Sequence, residues 1–183
     1  MKIGAFRIAI GRVRSGFTLT EVLVVLAIIA ALAGISYPLI RAGIKSSHRA
    51  GCLSNLQQIG VGLQSYLQDH NQRMPELEAG RKSRSEDVLV LEVILEPYLQ
   101  SEEVFHCPAD SEIFAASGSS YLWNTTQNGL PRTKLSFFGE EGDLSKIPLV
   151  SDKESWHGGG EAGSNFLYAD YSATNRLKFS VSP

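Results

Sequence analysis

RSGFTLTEVLVVLAIIAALAGISYPLI, residues 14–40, decides the architecture of this chain. Between Arg14 and Arg41 the only charged residue is Glu21, and Val22 to Ile35 carries no polar side chain. Phe17 to Ile40 is 24 residues, about 36 Å of helix at about 1.5 Å per residue, enough to cross a hydrocarbon core of about 30 Å. The stretch therefore predicts one membrane-spanning helix over residues 17–40. Glu21 is the anomaly within it, because a carboxylate in an apolar helix is costly to insert and is usually retained for a specific partner.

Upstream, Lys2, Arg7, Arg12 and Arg14 stand without any acid. The formal charge of the whole chain is -2, so the rest is mildly acidic and offers no electrostatic reason to expect a nucleic-acid partner. Arg41, Lys45 and Arg49 follow the apolar run almost as densely as the four basic residues precede it, so charge alone does not orient the helix. Three readings fit the segment. A removable secretory signal would be cut after Ala31-Leu32-Ala33 and leave Gly34 first, but it must accommodate Glu21 and a helical pattern that continues past the cut. A plain uncleaved anchor is the second. No lipobox cysteine follows the run.

The third reading rests on the whole pattern of residues 14–40, which resembles the N-terminal signature of type IV pilins and type II secretion pseudopilins. The resemblance implies cleavage by prepilin peptidase between Gly16 and Phe17 and N-methylation of Phe17. Glu21 then falls fifth in the mature chain, where its partner would be the Phe17 amine of its own or a neighbouring subunit. Pro38 falls where the family commonly loosens its helix. The expected partners are prepilin peptidase, other pilin or pseudopilin subunits, the inner-membrane assembly machinery and membrane lipid. The implied organisation is a cleaved basic leader over 1–16, a transmembrane helix over 17–40 and an extracytoplasmic head over 41–183. The leader would face the cytoplasm, and the head the periplasm or the exterior. The alternative is a membrane-anchored extracytoplasmic binding module that never polymerises.

Beyond Pro38 the helical period resumes, with Leu53, Leu56, Ile59, Leu63 and Tyr66 or Leu67 on one face, and an end is predicted near Asn71 before Met74-Pro75. Gly51, Gly60 and Gly62 weaken that helix and call for packing against a sheet. Residues 76–87 read as an exposed loop with Ser83 or Ser85 as a cap, followed by a short amphipathic helix through Val88, Leu91, Leu95 and Leu99 whose end is blurred by Pro97. Short strands are predicted at 120–124, 146–152, 165–170 and 174–180, the last two as a hairpin across Tyr171-Ser172-Ala173. The fold class is therefore α+β, pilin-like: a long N-terminal helix packed on a small antiparallel sheet.

Cys52 and Cys107 are too few for a zinc site made of thiolates; outside the cytoplasm they are free to form one disulfide, the other reading being two buried thiols. His157-Gly158-Gly159-Gly160 could supply oxyanion amides, but no G-x-S-x-G nucleophile elbow occurs, and a flexible turn is the simpler reading. The chain is expected to be no enzyme and to need no cofactor. Asp143, Asp152, Glu154 and Asp170 match no calcium-loop spacing and read as solvated carboxylates; calcium in this region is implied only by resemblance to major pseudopilins. His48, His70 and His106 lack zinc-ligand spacing, and Trp156 is expected in the core or at its rim. Residues 49–60, Phe105 to Asp110, Ser120-Tyr121 and Asn124 are similar to a prepilin-like group that ends in a His, a glycine-rich loop and an Asp-Gly pair. His157 to Gly160 and Asn165 to Asp170 fit that ending, except that Tyr171 takes the glycine's place.

Overall fold

The computed structural model describes residues 16–158 and 163–178. The chain divides into two units, Met1–Ala42 and Gly43–Pro183, and helix α1 (Leu19–Asp69) contributes to both. In the first unit every described residue through Ile40 is exposed, including Leu23, Leu26, Ile29 and Leu32. Among the described residues α1 is the helix long and apolar enough to cross a membrane, and none of its most apolar window is buried. Bare apolar surface of this kind is the mark of a lipid or partner interface. Pro38 lies inside α1. Having no N–H, it leaves the Gly34 carbonyl without its helical donor, which weakens the helix locally.

In the second unit α1 buries Cys52, Leu56, Ile59, Leu63, Tyr66 and Leu67, spaced three and four apart. The glycines of this stretch have a steric reason. A Cβ on Gly60 would stand 3.1 Å from Leu167, and one on Gly62 would stand 3.0 Å from Leu99, so their absence lets neighbouring side chains press on the backbone.

Among the described residues a four-stranded antiparallel sheet runs in the order β1 (Tyr121–Trp123), β4 (Pro148–Asp152), β5 (Phe166–Tyr168), β6 (Ala173–Thr174). Tyr121 pairs with Asp152, Val150 with Leu167 and Phe166 with Thr174. A bulge between Pro148 and Val150 fits a strand that begins with a residue unable to donate. A separate two-stranded ribbon, β2 (Ser136–Phe137) with β3 (Glu140–Glu141), turns through Phe138 and Gly139, both at positive φ. Ile59 and Leu63 of α1 share one buried cluster with Phe105, Trp123, Leu149 and Leu167, and Trp156 packs against that cluster partly buried.

The structure corrects several expectations. Cys52 rather than Leu53 opens the buried face of α1. The amphipathic helix from Val88 to Leu99 shrinks to α2 (Leu91–Ile94) and a separate 3-10 turn, Glu96–Tyr98, because Pro97 cannot continue an α-helical ladder. Neither Ser83 nor Ser85 caps a helix; the two hydroxyls bond each other across an exposed turn. The fourth predicted strand contributes Ala173–Thr174, and Phe179 and Ser180 lie outside the described residues. Tyr171, at the position where glycine is expected from the resemblance, has φ 65° and so adopts a left-handed backbone, as the last residue of a three-residue hairpin loop closed by Tyr168 N–H donating to Ser172 O at 3.0 Å. The ring recovers part of that strain by packing on the core and stacking 5.2 Å from the Arg132 guanidinium.

Candidate functional site

Gly16, Phe17 and Thr18 precede α1 without regular structure; Phe17 is 83% exposed, and nothing lies within 4 Å of where a Gly16 Cβ would sit. The Gly16–Phe17 peptide is thus open to approach. Thr18 is the N-cap of α1, since its carbonyl accepts the Val22 N–H at 3.3 Å. Glu21 Oε2 accepts from Thr18 N and from Thr18 Oγ1, both at 2.8 Å, while Glu21 N donates back to Thr18 Oγ1 at 3.2 Å. This is a reciprocal capping box, T-x-x-E, and an acid in the first turn also complements the helix dipole. Glu21 therefore has a local hydrogen-bonding role that sequence reasoning missed, although Thr18-Leu19-Thr20-Glu21 carries the signature in full.

In the second unit Cys52 of α1 and Cys107 are joined by a disulfide and are both fully buried. Around it lies a polar network. Asp110 accepts from the amides of Glu112, Ile113 and Phe114 at 2.9, 2.8 and 2.8 Å, capping the short helix α3 (Ile113–Ser117), and from Ser120 Oγ at 2.6 Å. The Ser120 hydroxyl oxygen in turn accepts from Cys107 N at 3.0 Å. Burial alone would push the Asp110 carboxyl up, but the Ser120 hydroxyl and the three amides outweigh it and hold the group below the usual carboxylate value. A depressed folded value means that the stabilisation is present above the unfolded value of 3.8 and is lost as pH falls through the lower folded value. Asp110→Asn is expected to destabilise the full-length protein in detergent by about 2 kcal/mol at neutral pH, with the gap from wild type closing below about pH 4. Urea unfolding at several pH values checks this, and a pH-independent gap would contradict it.

His157 follows β4 and is 1% exposed, so the expected flexible turn is a packed one at this residue. Its N–H donates to Gly163 O at 3.1 Å and its carbonyl accepts from the Arg49 guanidinium of α1. Its Nε2 lies 3.5 Å from Cys107 Sγ and 3.6 Å from Asp152 Oδ2. Asp152, expected on the surface, is 5% exposed and receives the Asn165 backbone and side-chain N–H groups at 2.8 and 3.0 Å. Burial pushes its carboxyl up to about 7, against the lowering effect of Asn165. Burial, followed by the positive charge of Arg49, His48 and Lys45, pushes the His157 imidazole below its ordinary value. Both shifts oppose a strong ion pair despite the short separation.

The other residues singled out from the sequence are not gathered. Asp143 and Asp170 each bind a hydroxyl and an amide two residues on, Ser145 and Ser172, in local turns. Glu154 is exposed. His70 stacks on Tyr66 at 3.9 Å, and His106 stacks on Phe114 at 4.5 Å. Gly159 and Gly160 of the HGGG run lie outside the described residues, as do Lys2, Arg7, Arg12 and Arg14.

No curated protein and no solved structure matches the chain. Residues 11–37 match the prokaryotic N-terminal methylation motif, which together with the apolar helix indicates a membrane-anchored, single-pass protein. The chain thereby carries the prepilin-type cleavage and methylation signature of type IV pilins and pseudopilins.

Proposed function

We propose that this chain is a structural subunit of a type II secretion pseudopilus or a type IV pilus-like filament, matured by prepilin peptidase between Gly16 and Phe17. In this reading residues 1–16 are the cytoplasmic leader, 17–40 cross the inner membrane and 41–183 form the head on the far side. The methylated Phe17 amine of one subunit meets Glu21 of another as they enter the filament, and Pro38 loosens the helix for packing among its neighbours. Catalysis belongs to the partners. The observation that carries the reading is the methylation motif over residues 11–37, which coincides with an accessible Gly16–Phe17 peptide and an uncovered apolar helix.

N-terminal sequencing of the protein purified from membranes tests it: N-methylated Phe17 is expected, whereas a first residue of Gly34 or Met1 would overturn it. A second reading, a membrane-anchored binding module that does not polymerise, is favoured by the capping box. A carboxylate already satisfied by its own helix terminus needs no neighbour.

A further inference from the structure

We propose that the Cys52–Cys107–His157 cluster is a zinc site when its disulfide is reduced, so that a covalent bond and a metal ion are alternative closures of one buried position. Both sulfurs and an imidazole nitrogen lie within 4.8 Å of one another, and all three residues are buried. A tetrahedral zinc with Zn–S of about 2.3 Å and Zn–N of about 2.0 Å sets its sulfur and nitrogen ligands about 3.5 Å apart. Cys107 Sγ and His157 Nε2 already stand at 3.5 Å. Oxygen and nitrogen ligands of the same ion lie about 3.4 Å apart, and Asp152 Oδ2 is 3.6 Å from that Nε2, next in line for the fourth position.

One further observation points to a ligand. Asp152 is 5% exposed and its Oδ1 has no hydrogen-bond partner among the described residues, so the carboxylate keeps unused acceptor capacity beside Nε2. Two thiolates alone would not make a structural site, but two thiolates, an imidazole and a carboxylate do. The ligands are well anchored: Cys52 sits on α1, Cys107 donates its N–H to Ser120, Asp152 ends β4 and is clamped by Asn165, and the His157 carbonyl is tied to Arg49. The Arg49 charge also offsets the excess negative charge of two thiolates and a carboxylate around a divalent ion.

The chemistry balances in two steps. A phosphine reductant cleaves the S–S bond, takes oxygen from water and leaves as phosphine oxide, giving two thiols. Zinc then displaces both thiol protons to solvent as the sulfurs part to about 3.8 Å, the edge of a tetrahedral S–Zn–S unit.

The test uses full-length protein in detergent, reduced anaerobically with a phosphine and titrated with cobalt(II) as a spectroscopic substitute for zinc. The reduced wild type is expected to take up one equivalent of cobalt, with thiolate-to-cobalt charge-transfer absorption and the visible bands of tetrahedral cobalt, all discharged by zinc. The oxidised protein is expected to show none of these bands. Asp152→Asn should weaken zinc binding by about tenfold or more, and His157→Gln should weaken it further and shift the visible bands. Circular dichroism of each oxidised variant verifies that the head is folded. Absence of thiolate–cobalt absorption in the reduced wild type overturns the proposal, whether or not the reduced head remains folded. Unchanged affinity and spectrum in His157→Gln overturns it equally.

Discussion

Glu21→Leu is expected to leave the chain in the membrane fraction and to remove it from the filaments of the proposed assembly, and Glu21→Gln separates the two reasons why. In the proposed assembly the carboxylate meets a neighbour's Phe17 amine in an apolar setting. Removing one partner of such a pair strands the other, which lowers association on the order of a hundredfold or more. The capping box offers a competing explanation: Glu21 accepts from the backbone and hydroxyl of Thr18, so leucine also uncaps α1. Glutamine can occupy the fourth position of a T-x-x-E/Q box and keep an acceptor there while discarding the charge. If subunit pairing dominates, both variants fail to co-purify with filaments. If capping dominates, glutamine is incorporated normally and only leucine fails. Incorporation of both variants at wild-type levels would leave the non-polymerising reading in possession of the data. The readout is the amount of each variant in sheared filaments relative to membranes.

What was legible in the sequence follows the range of the interaction involved. Helix α1 was readable because its signals are local: an uninterrupted apolar run, then Leu56, Ile59, Leu63 and Leu67 at helical spacing. The strand segments at 121–123, 148–152 and 166–168 were marked by aromatic and β-branched residues between turn formers. The buried polar cluster was not readable. Asp110, Asp152 and His157 look like surface or loop residues, and what buries them is their pairing with Ser120, Asn165 and the disulfide, over sequence separations that carry no period. The Tyr171 backbone was half legible: resemblance marked a position where glycine would be expected, but only the observed φ shows that the turn is left-handed with tyrosine in that place. The Thr18–Glu21 box was legible in full, yet reading Glu21 through its charge alone hid the hydrogen bonds it makes with its own helix.

Replacing both cysteines, Cys52→Ala with Cys107→Ala, is expected to cost the head about 4 kcal/mol. The bridge joins residues 55 apart, and closing a loop of that length removes a large share of the unfolded chain's freedom. Alanine rather than serine keeps two hydroxyls out of a fully buried position, so the measured loss reports the cross-link with a small cavity contribution. Denaturant unfolding of the full-length protein in detergent supplies the number, and a loss below about 1 kcal/mol would show that the cluster around the bridge holds α1 to the Cys107 segment without it. The experiment also bears on the metal. Reduced, metal-free wild type should unfold with the alanine pair, because both lack the cross-link. Zinc should return stability to the reduced wild type and leave the alanine pair unchanged, since only the former retains thiolates to close the same loop through the ion.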